Sequence, residues 1–427
     1  MHVHVLGLVS LNGGDAAILV AQRDVLDEQW PGVRVTVSDT HPGAARRYLP
    51  DLPFQSFLMA ALREPAGTSR LPSRAQGVLT RLRFARVKGA ATLHGLGFHA
   101  PARAMTPAPC RAPLHEMVTA DVIAYTGGTT LTDNYDLTDK VFDLEVARRL
   151  RKPLVFLPQS AGPFHKPENR RSLAPVLAAA DLVLLRDERS LQHVVDVGAD
   201  PAVCAVVPDI VFALARPDAL SAPPRPRAEA PRLAVSVREW AHFRDKDREQ
   251  GMRDYLDALR AAVTAAVRQR GARVTFVSTC QGRPEYVRDD SAFALRVVEG
   301  LEPDVRAAVQ VDRAAHDPEG LIDLLAGFDA MLSTRLHGAI SAVCTGLPTL
   351  TVAYEYKTVE VWRQLGLPEW TVEIDDVTPG VLAERTLALL DSAPELRKAL
   401  SVAVPPMREG ARSVGGRVAR VLERRTS

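Results

Sequence analysis

The chain has 427 residues, of which 46% are hydrophobic and 24% charged, and its formal net charge is +2. That length leaves room for two or three domains, each with its own core. A balance so close to neutral excludes a general nucleic-acid binder, so any effect of positive charge must be local. The four cysteines, Cys110, Cys204, Cys280 and Cys344, lie far apart, without a C-x-x-C pair or zinc spacing. They read as free thiols in a reducing compartment. Residues 1–9 lack a basic leader, and Asn12, Gly13, Gly14 and Asp15 follow at once. No signal peptide is expected there, and no apolar run approaches a spanning helix. The expected location is cytoplasmic, with contact at the inner face of a membrane left open.

In chain order, His2–Val9 reads as a buried strand, Ser10–Asp15 as a Gly-rich turn, Ala16–Gln29 as a helix and Val33–Ser38 as a second strand. This is a doubly wound opening. The turn lacks G-x-G-x-x-G, and Asp15 is expected to cap the helix. The next stretch differs. Between Asp51 and Glu116 the only acid is Glu64, against nine basic residues that include Arg63, Arg70, Arg74, Arg81, Arg83, Arg86, Lys88, Arg103 and Arg111. Leu79–Lys88 fits a basic amphipathic helix, suited to an anionic membrane surface or a phosphate-bearing acceptor, and equally to a solvated face on an insertion. Pro101–Pro113 reads as loop.

Asp121–Tyr125 is a strand running into the expected loop Thr126–Asp133, where Gly127 and Gly128 permit close approach of a ligand or unusual dihedrals. Helix, strand, helix, strand and helix follow at Asp139–Leu150, Pro153–Leu157, Asn169–Ala179, Leu182–Leu185 and Arg186–Val197. Arg216–Arg232, rich in Pro and Ala, is the expected linker. A second α/β unit opens with Leu233–Val237 and ends that strand at Arg238. Its further strands are expected at Arg273–Ser278, Val309–Val311, Ala330–Leu332 and Leu347–Ala353.

The stretch from Met331 to Lys357 concentrates the chemistry. Ser333 and Thr334 end a strand, and an apolar helix runs from Leu336 to Cys344 before Gly346 stops it. Arg335 and His337 therefore sit where a strand gives way to a helix. Free backbone N–H groups and the helix dipole favour anions there. An Arg and a titratable His complete a cradle for phosphate or carboxylate. The bland alternative is an Arg paired to a local acid and a His packed on the helix.

Seven segments in order resemble the polysaccharide pyruvyl transferase family: SLNGGDAAIL, DVIAYTGGTTLTD, KPLVFLPQSAGPF, LVLLRDERS, VVPDIVF, LAVSVRE and STRLHGAISAVCTGLP, with Tyr354–Lys357 behind the last. The resemblance covers roughly Leu6 to Leu367. One departure is the second segment, with two glycines between Thr126 and Thr129 where the family usually has three. The resemblance implies an α/β fold of two Rossmann-like domains facing a cleft, similar to GT-B glycosyltransferases. The expected division is residues 1–215 on the acceptor side, with a basic insertion at about 54–113, a linker at 216–232, residues 233–400 on the donor side and a basic helical tail at 401–427.

The resemblance also implies phosphoenolpyruvate as co-substrate, a sugar or glycan acceptor that is polymeric, lipid-linked or small, and a pyruvate ketal as product. Carried over by position, donor binding falls to Arg238, Arg335, His337, Gly338 and Lys357. His337 is the candidate acid, and Asp15 and Asp133 are candidate bases, with Arg335 among the catalytic set. Asn12, Gly14, Gly127, Gly128 and Gln159 are candidate acceptor or loop residues, and Asp209 is expected to be structural. No metal and no resident cofactor is expected, because arginines can neutralise the donor. Two other classes stay open: a nucleotide-sugar glycosyltransferase of the same architecture, and a non-catalytic glycan-binding relative.

Overall fold

A computed structural model describes residues 1–63, 73–222, 230–281, 283, 285–286 and 288–426, without the side chains of 73–77 and 426. Glu64, Arg70, the side chain of Arg74 and linker residues 223–229 lie outside the described residues. The fold is α/β with two parallel sheets, divided into two compact units. The first unit contains residues 1–10, 18–210 and 412–427, and the second contains 11–17 and 211–411.

The sheet of the first unit holds β1 (His2–Leu8), β2 (Arg34–Asp39), β3 (Phe54–Ser56), β4 (Val122–Tyr125), β5 (Gly128–Leu131), β6 (Leu154–Ala161), β7 (Leu182–Leu185) and β8 (Cys204–Val206). Its order is β3-β2-β1-β4-β6-β7-β8, with β5 beside β6. These strands read as near-continuous apolar runs because helices cover both faces. Leu6, Ile123, Tyr125, Phe156, Val183 and Leu185 lie in one core cluster.

The second sheet holds β9 (Arg232–Ser236), β10 (Arg273–Phe276), β11 (Val309–Val311), β12 (Ala330–Ser333), β13 (Thr349–Ala353) and β14 (Thr371–Glu373). Its order is β11-β10-β9-β12-β13-β14, with every pairing parallel. The chain winds outward in opposite directions from β9 and β12. Their carboxyl ends therefore flank the place where such sheets bind ligands. Ser236 pairs with Ser333 across them. Arg238 and Arg335 each come two residues past that pair, so the register alone delivers two guanidinium groups to the switch point.

Three expectations are corrected. The stretch expected as loop at Pro101–Pro113 is helical, with helices His99–Met105 and Arg111–Thr119 joined through a short turn at Ala108–Cys110. Pro101 and Pro113 both stand in a first turn, where a missing N–H breaks no helical bond. The expected Gly-rich loop contains β5. Gly128 takes a φ of +101° there, while a Cβ on Gly127 would lie 2.5 Å from the Pro158 carbonyl oxygen. Both glycines serve the protein's own backbone. Finally, the helix Gly13–Gln29 is capped by Asn12, whose Oδ1 accepts from the Gly14 N–H at 2.9 Å, and Asp15 instead occupies its first turn.

Candidate active site

The site is built at the carboxyl ends of β9, β10, β12 and β13. Arg335 is the N-cap residue of the helix Leu336–Val343, directly after β12. Its Nε donates to Asp290 Oδ2 at 2.9 Å and its Nη2 to Asp290 Oδ1 at 2.5 Å. The pair is nearly dry: the side chain of Asp290 is 4% exposed and that of Arg335 12%. Asp290 also accepts from the Cys280 backbone N–H at 3.2 Å and the Thr279 hydroxyl at 3.4 Å, both just past β10. So the carboxylate fixes one edge of the guanidinium, and the Nη1 end is left for a ligand among the described residues. Half of the bland alternative is present, because Arg335 does pair with an acid. That acid sits 45 residues away in sequence and holds the group in place at the switch point.

Arg238 is different. It is half-buried, and its guanidinium carbon lies 4.3 Å from the Tyr354 ring centre and 5.3 Å from that of Trp240. The two rings pack at 4.6 Å. Among the described residues Arg238 has no carboxylate partner, so aromatic faces orient the group while its N–H fork keeps its hydrogen-bonding capacity. Tyr354 follows β13, and Lys357 sits in the first turn of the next helix, Tyr356–Gln364, paired with Glu355.

Residues 11–17 complete this unit. A Cβ on Gly13 would lie 2.0 Å from the Thr279 carbonyl oxygen, and one on Gly14 would lie 2.5 Å from His337 Nδ1. The turn's backbone therefore lies directly against Thr279 and the His337 imidazole. Gly338 is similarly confined, with Thr279 Cγ2 3.0 Å from a Cβ placed there. Asn12 reaches across, its Nδ2 donating to the Tyr286 hydroxyl at 3.4 Å and its Oδ1 accepting from the Cys280 thiol at 3.5 Å. Burial pushes the Tyr286 phenol up to about 12 and raises the Cys280 thiol, and the Asp15 charge adds to both. Neither group is a base near neutrality, whereas Asp15 is a carboxylate within electrostatic reach of both.

Asn12, Gly14, Asp15, Arg238, Arg335, His337, Gly338 and Lys357 thus belong to one unit, and Gly127, Gly128, Asp133 and Gln159 to the other. The Asp133 carboxylate accepts from the His165 N–H at 2.5 Å, the Lys166 N–H at 2.9 Å and Asn169 Nδ2 at 2.6 Å. Partial burial opposes its ionisation, but these three bonds outweigh it and hold the carboxyl below its usual range. That makes Asp133 a clamp on the loop entering the helix Pro167–Leu177, with weakened basicity. Gln159 is 1% exposed, and its Oε1 has no hydrogen-bond partner among the described residues. Asp209, expected to be structural, is buried against Arg186. Arg186 also donates to the Gly128 carbonyl at 2.8 Å and to Thr129 Oγ1 at 2.7 Å, tying the Gly-rich segment to β7.

The residues that sequence reasoning missed are Asp290, Thr279, Cys280, Tyr286 and Trp240. Only Asp290 carried a local signal, as the second of two acids opening the helix Asp290–Glu299, where Asp289 is the cap.

Comparison with known proteins agrees with this architecture. The chain is 28% identical over 291 residues to the amylovoran biosynthesis protein AmsJ of Erwinia amylovora, covering 66% of this chain and 69% of that protein. Among solved structures it is similar to HepE (Alr3699) of Anabaena in complex with UDP-glucose, with TM-score 0.53, 15% identity and coverage of 99% of this chain and 100% of that one. The UDP-GlcNAc 2-epimerase of Neisseria meningitidis bound to UDP-GlcNAc gives TM-score 0.56 at 10% identity, over 99% of this chain and 100% of that one. These likenesses establish a GT-B-like fold. The sequence of residues 12–356, from the capping asparagine to the start of the helix behind Tyr354, matches polysaccharide pyruvyl transferase, and the chain belongs to that family.

Proposed function

We propose that this transferase takes pyruvate from phosphoenolpyruvate and places it as a ketal on two hydroxyls of a sugar, releasing phosphate. The observation that carries the reading is the pair of guanidinium groups two residues beyond Ser236 and Ser333, one held by Asp290 and one by Tyr354 and Trp240. A donor with a carboxylate and a phosphate needs two fixed cations, and Arg forks match both. The helix N-terminus at Leu336 adds a dipole of the right sign.

In the reaction one acceptor oxygen bonds to C2 of the donor while a proton, replaced by the one its hydroxyl loses, adds to C3. The bond between C2 and the phosphate ester oxygen then breaks, and phosphate leaves with that oxygen. The second hydroxyl oxygen bonds to C2, and its proton restores the one that His337 gives to the phosphate. Arg238 and Arg335 hold the anionic groups, with Lys357 as further charge. His337 gives the leaving phosphate its proton, and Asp15 takes the proton from the attacking hydroxyl. The acceptor is a sugar unit of a polysaccharide or of its precursor, as befits likeness to an amylovoran biosynthesis protein.

A second reading, transfer of a sugar from a nucleotide sugar, is favoured by the fold shared with HepE, solved with UDP-glucose. Calorimetry with phosphoenolpyruvate and with UDP-glucose separates the two. Saturable phosphoenolpyruvate binding that weakens at least tenfold in Arg238→Ala and in Arg335→Ala supports pyruvyl transfer. UDP-glucose binding without phosphoenolpyruvate binding, with or without a glycan present, would replace it.

A further inference from the structure

Residues 65–115 contain no Asp or Glu. In the structure they supply the helices Ser73–Gly95 and His99–Met105 and the start of Arg111–Thr119, all in the first unit. A cavity of about 650 Å³ opens among these helices, lined by His94, Arg103, Arg111 and His115 beside Leu114 and Val118. That volume is in the range of small-molecule sites. Every charged or titratable group on its wall is basic. Neither Arg103 nor Arg111 has a carboxylate partner among the described residues. Glu116 follows His115 but is already engaged, accepting from Arg34 at 3.0 Å. Positive charge in a partly apolar hollow is left uncompensated.

A second observation lies on the same helices. The helix Ser73–Gly95 turns Val87, Ala90 and Ala91 into the core, all at 0% exposure. Its outer side shows Val78 at 57%, Leu79 at 41% and Leu82 at 56%, at helical i, i+1, i+4 spacing. Arg81, Arg83 and Arg86 alternate with them in sequence. Leu96 and Phe98, in the turn just after His94, are 47% and 58% exposed. Exposed apolar side chains with arginines close to them in sequence suit an anionic lipid surface: chains take the apolar residues, phosphates the guanidinium groups.

We infer that this acid-free helical segment binds the phosphate of a membrane lipid, the headgroup entering the cavity at Arg103 and Arg111 while Val78, Leu79, Leu82 and Phe98 meet the hydrocarbon. Lipid binding here stands or falls apart from the chemistry at Arg335.

The test is co-sedimentation of the full chain with phosphatidylcholine vesicles, with and without phosphatidylglycerol. Binding should require phosphatidylglycerol, fall with added salt, and drop roughly tenfold or more in Arg103→Gln/Arg111→Gln. Arg268→Ala, an exposed arginine on the second unit, should bind as the wild type does. Calorimetry supplies a readout without a bilayer: dodecyl phosphate below its micellar concentration should bind the wild type, and Arg103→Gln/Arg111→Gln with unchanged melting temperature should not bind it. Equal vesicle binding by wild type and double variant, equal loss in Arg268→Ala, or no binding by the wild type would overturn the inference. Inorganic phosphate binding as tightly as dodecyl phosphate would overturn the lipid assignment in favour of a free phosphate site.

Discussion

Asp290 holds both Nε and Nη2 of Arg335 in a nearly dry environment. Truncating one partner strands the other charge, which in such pairs costs about 3 kcal/mol or more. Asp290→Ala should lower unfolding stability by about that amount in urea titration. Asp290→Asn, which keeps an acceptor, should lose less while still weakening phosphoenolpyruvate binding. An Asp290→Ala variant as stable as the wild type would mean that the pair is wetter than described.

The two glycines of the N-terminal turn should fail differently. Gly14→Ala pushes a methyl against the His337 imidazole, a side chain that can swing away, whereas Gly13→Ala meets the rigid Thr279 carbonyl. Gly14→Ala is expected to lose phosphate release, by tenfold or more, with its melting temperature nearly unchanged. Gly13→Ala should melt several degrees lower. Full phosphate release by Gly14→Ala would remove His337 from the chemistry.

Arg238 offers an optical readout. Its guanidinium lies 5.3 Å from the Trp240 ring centre, so an anion drawn to that fork alters the charge beside the indole. Phosphoenolpyruvate should change tryptophan emission in the wild type and not in Trp240→Phe. Arg238→Lys, which loses both the planar fork and the stacking on Tyr354, should bind the donor at least tenfold more weakly. A change in emission retained in Trp240→Phe would place the donor elsewhere.

Two buried groups far from the site set opposite pH dependences. His4, between Thr36 and Ser38 hydroxyls at 2.7 and 3.1 Å, is pushed down to about 3 by burial. Its stabilising contribution is complete above the unfolded value of 6.5 and is lost as pH falls towards 3. Asp143, which accepts from the Leu58 N–H at 3.2 Å, is raised by burial to about 8. Its contribution is complete below the unfolded value of 3.8 and is lost as pH rises through 8. Between 3.8 and 6.5 the two slopes oppose each other. From 6.5 to 8 Asp143 acts without His4, and stability should fall by roughly 1 kcal/mol per pH unit. Asp143→Asn should flatten that fall in urea titrations across the window; an unchanged slope would assign it to another group.

Much of this was legible because parallel strands covered on both faces must be almost wholly apolar, as Leu182–Leu185 is throughout and Leu233–Val237 is apart from Ser236. The polar residue that ends each run then marks a strand's carboxyl end, which is why Arg238 and Arg335 could be picked out. What holds them could not. Asp290 reaches Arg335 across the rest of its own helix, two further helices and two strands, and Tyr354 reaches Arg238 across most of a sheet, distances over which no local period carries information. The helices at His99–Met105 and Arg111–Thr119 were hidden by their prolines, which mark loops by frequency but fit first turns by geometry. Asp133 was misleading for a related reason: a carboxylate beside glycines suggests chemistry, and only its three donors reveal a clamp.

The helix Ala393–Thr426 begins in the second unit, and from Arg412 onward it belongs to the first. There Val414, Val418 and Val421 are each 1% exposed, Gly415 packs on the Val25 carbonyl, and Arg425 grips Asp181 at 2.9 Å. Residues 412–426 are therefore part of the first unit's core. The opening unit cannot close until a segment from beyond the whole of the second unit has joined it, and cutting the chain at Ala411 would strip that opening unit rather than leave it intact.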